Sequence, residues 1–195
     1  MNDIFHKGNR ELQEQFNSRK LADRVNELIV HDEITDEECE FIQARDMFFI
    51  STVDEQARPT VSYKGGATGF VRVIDKKTIA FPDYDGNGMF MTAGNIDLNH
   101  EVGLLFIDFE NPQRLRVHGT ANIVLDDPLL ADYHGAKFII RITVRNLFLN
   151  CPRYIHQYKK IEQSEYVPKE GCEAPVPGWK KLDAVQDVLP VTGLK

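Results

Sequence analysis

At 195 residues, with 42% hydrophobic and 27% charged side chains, the chain has the composition of a soluble globular protein with room for one well-packed domain. A formal net charge of −7 speaks against broad nucleic-acid binding, which needs a basic face, and leaves room only for a local basic pocket. No apolar run approaches the roughly 20 residues that cross a bilayer, MNDIFHKGNRELQEQF holds no signal-peptide core, and Cys39, Cys151 and Cys172 match neither a disulfide framework nor a zinc motif; the expectation is a cytoplasmic protein with no metal site.

In chain order, residues 10–30 read as one helix, with Leu12, Phe16, Leu21, Val25, Leu28 and Ile29 near one face. TDEE from Thr35 has the form of a capping box, Thr35 as N-cap and Glu38 reaching back, and opens a second helix to Ala44. The period then changes. Met47 to Val53 is apolar and β-rich, DEQARP turns the chain, and Pro59 to Tyr63 alternates until Gly65-Gly66. Phe70 to Ile74 and Thr78 to Phe81 flank DKK as a hairpin.

FPDYDGNGMFMTAGNI follows, residues 81–96. Its apolar run breaks at Pro82 into a turn-forming cluster and resumes at Gly88 with helical spacing to Leu98. Such a stretch either presents backbone N–H groups to an anion or makes a plain turn. Val102 to Phe109 reads as a buried strand, Arg114 to Leu125 and Lys137 to Leu149 as two more, with a short helix at Pro128 to Tyr133. NCPRYIHQYKK reads as a helix with Pro152 at its first position and Cys151 at its start, where a thiol is either activated by the helix dipole or buried and inert. Beyond Gln163 the chain is polar and proline-rich, with Trp179 its one large aromatic side chain of that type.

Six or seven closely spaced strands with no βαβ alternation predict a mostly antiparallel barrel. The segments are a helical portion, 1–45, packing on a barrel, 46–162, with an extended tail, 163–195. Among the basic residues on strands, Arg58, Lys64, Arg72, Arg114 and Arg116, the last two share a face opposite Leu115 and Val117. That face is either solvated and paired with acids or the lining of an anion site.

The blocks FFISTVDEQARPTVSYKGG, GFVRVIDKKTIAFPDYDGNGMF and GNIDLNHEVGLLFIDFENPQRLRVHGTA, and more weakly NCPRYIHQY, occur in an order that resembles the pyridoxamine 5′-phosphate oxidase-like family of FMN-binding split barrels. The resemblance implies a mainly β fold with flanking helices, a six-stranded antiparallel split β-barrel that pairs as a homodimer with FMN at the interface. It further implies an oxidoreductase passing electrons between a small-molecule donor and an acceptor. By position, Val61, Ser62, Tyr63 and Lys64 match the strand along the flavin, Pro82 and Asp83 the end of the next strand, Asn87, Gly88 and Met89 the phosphate loop, and Arg114 a residue touching the ring.

This chain departs from the pattern in two places. Gly88 and Met89 stand where the oxidase that names the family has basic residues, so Lys64 and Arg72 are the expected source of charge for the phosphate. No arginine follows Arg153, so the Arg-x-His element that closes that oxidase's site has no counterpart, which points away from pyridoxamine 5′-phosphate as substrate. A deazaflavin or haem ligand on the same fold, and a non-catalytic flavin-binding or redox-sensing role, are the rival expectations.

Overall fold

The structure, a computed structural model, describes residues 4–172 and 174–190; Glu173 and the last five residues of the expected tail lie outside it. Three helices come first, α1 (Lys7–Gln15), α2 (Arg19–Ile29) and α3 (Asp36–Gln43). The strands are β1 (Met47–Val53), β2 (Pro59–Gly65), β3 (Arg72–Asp75), β4 (Thr78–Tyr84), β5 (Glu101–Asp108), β6 (Gln113–Val124) and β7 (Ala136–Asn150), with α4 (Met91–Leu98) between β4 and β5.

Seven strands form one antiparallel sheet in the order β2-β1-β5-β6-β7-β4-β3, which corrects the six-stranded barrel: the four-residue β3 is added outside β4, and β2 and β3 remain unpaired edges. The sheet nevertheless curls. Phe48 on β1 and Phe81 on β4 have three strands between them in that order, yet their rings meet edge-on with centroids 5.0 Å apart. Phe106 at 5.1 Å and Phe70 at 5.9 Å complete the cluster around Phe48, all of it buried. Burying four aromatic rings together rewards closure by far more than a flat sheet could recover. Helix α4 lies over the open side, where Asn95 Nδ2 donates to Thr52 Oγ1 on β1 and Thr60 Oγ1 on β2, each at 2.9 Å, and Thr92 Oγ1 donates to Ser62 Oγ at 3.1 Å.

The capping box of α3 is present, Glu38 N–H donating to Thr35 Oγ1 at 3.2 Å and Thr35 N–H to Glu38 Oε2 at 3.0 Å. Elsewhere the local reading needs correction. The single N-terminal helix is two, broken where Asn17 adopts φ +52, a left-handed conformation that asparagine tolerates better than most residues. Neither α1 nor α2 buries a residue. Strand β4 does not stop at Pro82 but runs on to Tyr84; β3 pairs only as far as Ala80, so Pro82 sits where β4 is itself an edge and a missing N–H is harmless.

No helix follows Cys151. Residues 151–163 are irregular, Tyr154 and Ile161 are 82% and 97% exposed, and a helix with no apolar face to bury has little to stabilise it. Cys151 is accordingly exposed rather than buried at a helix start. The tail contains two short 3₁₀ turns, Gly178–Lys181 and Asp183–Val188, and is not uniformly extended. Among the described residues no helix is long and apolar enough to cross a membrane.

Two substitutions test this packing. Phe48→Ala is expected to cost about 3–5 kcal/mol in urea unfolding. Gly119→Ala adds one carbon that would stand 2.2 Å from the Thr143 carbonyl oxygen across the β6–β7 ladder, and should cost about 1–3 kcal/mol. A Gly119→Ala protein as stable as the wild type would show that the ladder is looser than described.

Candidate functional site

The curl leaves a gap between the free edge of β2 and the part of β4 that outruns β3, and there a cleft of about 390 Å3 opens. Strand β2 contributes Ser62, Tyr63 and Lys64, β4 contributes Pro82, Asp83 and Tyr84, the following loop Asn87 and Gly88, the first turn of α4 Met91 to Ala93, and β7 Lys137. Alternation along β2 directs Thr60, Ser62 and Lys64 inward while Val61 and Tyr63 are largely exposed.

Ionic contacts span the gap. Lys64 Nζ stands 3.6 Å from Asp83 Oδ1, both side chains being at least four-fifths buried. Lys137 Nζ stands 2.9 Å from Asp85 Oδ1, and Lys180 of the tail reaches Asp85 Oδ2. Burial pushes the Asp83 carboxyl above its ordinary value, and Lys64 only partly opposes this. Burial also acts to raise Asp85, but hydrogen bonds from Lys180 and Lys137 outweigh it and the group sits below its ordinary value. Burial, with Tyr133 nearby, pushes the Tyr84 phenol up to about 12.

The loop into α4 is held by its own side chains. Asn87 Oδ1 accepts from Met89 N–H at 3.0 Å, Gly88 takes φ +77, and Phe90 takes φ +48 as the helix N-cap. A phenylalanine in the left-handed region is strained, and it offers no oxygen: α4 begins with no side-chain cap. Its first N–H groups therefore lack the usual intrahelical and side-chain acceptors where the helix lines the cleft. The helix starts at Met91, three residues later than the sequence spacing suggests.

Of the residues singled out in sequence, Ser62, Tyr63, Lys64, Pro82, Asp83, Asn87 and Gly88 come together around this cleft. Arg72 does not line it: its guanidinium bonds Asp132 Oδ2 at 2.5 Å and lies 5.0 Å over the Tyr133 ring. Val61 faces outward and Met89 is 64% exposed at the loop tip. Arg114 lies on the outer face of the sheet, because its neighbours Leu115 and Val117 fill the core. Lys137 and Lys180 were not foreseen. Lys137 reads in sequence only as the first polar residue of a strand, and Asp85, unpaired by any local cation, is the only hint that a distant one was required.

The outer face carries a second arrangement. Arg114, Arg116 and His118 on β6 stand beside Asn146, Phe148 and Asn150 on β7. No ion pair joins Arg114 or Arg116 to an acid among the described residues; Arg116 lies 5.8 Å over the Phe148 ring. Arg114 Nε, Asn146 Oδ1 and Asn150 Oδ1 are buried with no hydrogen-bond partner. Burial, then Arg114, lowers the Arg116 pKa; burial, then Arg116 and Arg145, lowers that of His118.

A family model described as pyridoxamine 5′-phosphate oxidase matches residues 34–155. No curated protein matches the chain. Among solved structures, a variant of HupZ from Group A Streptococcus is 23% identical with a TM-score of 0.50, covering 60% of this chain and 99% of that one. A candidate pyridoxamine 5′-phosphate oxidase of Lactobacillus delbrueckii is 22% identical with a TM-score of 0.50, covering 60% of this chain and 95% of that one. At these identities the likeness is one of fold.

The Tyr84 phenol gives a pH prediction. The unfolded tyrosine ionises near pH 10 and the folded one near 12, so the folded state holds the extra proton between them and stability falls as pH rises through that interval. With a discount for the ring's partial exposure the loss attributable to Tyr84 is about 1–2 kcal/mol. Urea midpoints from pH 9 to 12 should fall less steeply for Tyr84→Phe than for the wild type; parallel curves would contradict the burial of this hydroxyl.

Proposed function

The chain belongs to the pyridoxamine 5′-phosphate oxidase family, and from that premise we propose that it is an FMN-binding oxidoreductase, working as a homodimer in the cytoplasm on a small-molecule electron donor or acceptor. The observation that carries this reading is the uncapped start of α4, opening into a cleft flanked by Lys64 and Lys137. Free N–H groups at a helix start and two ammonium groups are the donors a phosphate monoester requires.

The residues present fit the group. Lys64 and Lys137 supply the cations, with Lys137 in the part the sequence assigned to Arg72. Each lysine now faces an aspartate, so an incoming phosphate competes with Asp83 and Asp85 for them. The raised pKa of Asp83 eases that competition, since its charge is the one the site holds least favourably. Ser62, Thr92 and Asn87 offer hydroxyl and amide groups along the cleft to a polyol chain. Tyr84, protonated across the physiological range, can donate one neutral hydrogen bond. Bound FMN would supply the two-electron chemistry, and the protein its position and surroundings.

The outer face supports the homodimer. Arg114 and Arg116 have no acid partner among the described residues, and a second copy laid against β6 and β7 would bring acceptors to their guanidinium groups. Val61 and Tyr63 extend that face with exposed apolar surface.

The purified protein is expected to show two visible flavin bands and to release FMN on heating; a Soret band would replace flavin with haem, and a colourless protein that takes up no FMN would overturn the reading. In FMN titrations, Lys64→Ala and Lys137→Ala should each weaken binding by about 10- to 100-fold, the scale of a lost charged hydrogen bond. Arg72→Ala should leave it unchanged, and the reverse pattern would move the phosphate to Arg72. By light scattering the protein should have the mass of a dimer, and Val61→Lys should shift it toward monomer without unfolding it. A monomer that retains tight FMN binding would remove the interface.

A further inference from the structure

A second and larger cavity, of about 750 Å3, lies behind the cleft. One side is built from Arg45 and Asp46 before β1 and from the turn after β5, the other from the irregular segment that follows β7. Tyr63, Gly65, Tyr84 and Asp85 line both cavities, so the two share a wall.

The irregular segment is fastened rather than loosely draped. Tyr158 N–H donates to the Phe109 carbonyl at 3.0 Å, and the two rings meet edge-on at 5.4 Å. Gln157 Nε2 donates to the Glu110 carbonyl at 2.6 Å, and Lys160 pairs with Asp46. These contacts hold the segment along the cavity without filling it, although its backbone belongs to no helix or strand.

The walls have a definite chemical character. Tyr63, Tyr84, Tyr158 and Tyr166 supply aromatic surface. Asp108 is taken by Arg45 at 2.8 Å, Asp46 by Lys160, and Asp85 by Lys137 and Lys180. On the lining itself five acids, Asp46, Asp85, Asp108, Glu110 and Glu162, face three bases, Arg45, Lys159 and Lys160, with Lys137 and Lys180 outside it. Glu110 and Glu162 are the two acids in no ion pair among the described residues.

We propose that this cavity is a second small-molecule site, taking a planar, nitrogen-containing aromatic compound of zero or positive net charge. Tyrosine faces attract flat rings and cations, and the residual acids favour a cation and repel an anion. A ring nitrogen or carbonyl on such a compound can accept from a tyrosine hydroxyl of the same wall. The volume falls in the range of about 300–1,000 Å3 usual for ligand pockets. The burial that keeps the Tyr84 phenol protonated to about 12 leaves the shared wall neutral on that side. A dinucleotide carrying a pyrophosphate is disfavoured here by the same acids that favour the cation.

The test is a titration of the full-length protein, with FMN present in excess, by methylene blue, a planar tricyclic cation that absorbs to the red of flavin. Saturable binding is expected, undisturbed by NADH. The exposed pair Glu110→Gln and Glu162→Gln together should weaken it about tenfold, the scale of one or two partly screened charge contacts. FMN affinity should be unchanged in the same double variant, which separates this cavity from the cleft. Absence of saturable binding, release of the dye by FMN in proportion to flavin bound, or an unaltered affinity in the double variant would each overturn the proposal. If the protein takes up no FMN, the titration of the protein as purified still decides the matter, and only the flavin reading fails.

Discussion

The contact between Phe48 and Phe81 sets the geometry on which the rest of the molecule depends. A seven-stranded sheet with this strand order could lie open and twisted. Because the rings of β1 and β4 must share one core with Phe106 and Phe70, the two halves of the sheet fold toward each other. The sheet does not close: β2 and β3 are its edges, and β3 pairs along β4 only as far as Ala80. The gap that results is bridged by Lys64 and Asp83 and overlaid by α4, so the cleft is a direct product of how the core is packed.

The charges of the cleft follow from the same geometry. Asp83 and Asp85 come at the end of a strand whose neighbours are β2 on one side of the gap and β7 on the other, and each of those supplies one lysine. In the protein alone the lysines and aspartates hold one another. Exchanging a carboxylate for a phosphate keeps every ammonium group paired, so the arrangement can admit an anion without first leaving a buried cation exposed to an apolar wall. Lys180 adds a contact from the tail, tying the last part of the chain to the loop that shapes the cleft.

Much of this was legible in the residue pattern where local rules decide. The limits of β1, the capping box of Thr35 and Glu38, and the opposition of Arg114 and Arg116 to Leu115 and Val117 all rest on periodicity or on spacing of three, and all are present. Where tertiary context decides, the pattern misled. Pro82 reads as a stop but lies within a strand because β3 ends early. Pro152 reads as a helix start, but no apolar surface waits for that helix. Arg72 looked as available for a phosphate as Lys64; the difference is Asp132 and Tyr133, which hold it elsewhere and lie far along the chain. Lys137 could not be recognised as part of the cleft until β7 was known to run beside β4.

An unclosed sheet has one further consequence, which concerns other proteins rather than ligands. Two free edges invite a foreign strand to add itself, the first step toward aggregation. Here β3 offers four residues with an irregular register, among Arg72, Asp75, Lys76 and Lys77, and so gives an intruder little to pair with. Strand β2 begins with proline, which withholds one donor, and α4 is bonded to its Thr60 and Ser62 side chains from the inner side. The strand edges that flank the cleft are thus poorly suited to admitting a polypeptide, and the protein can keep its barrel split without becoming a template for others.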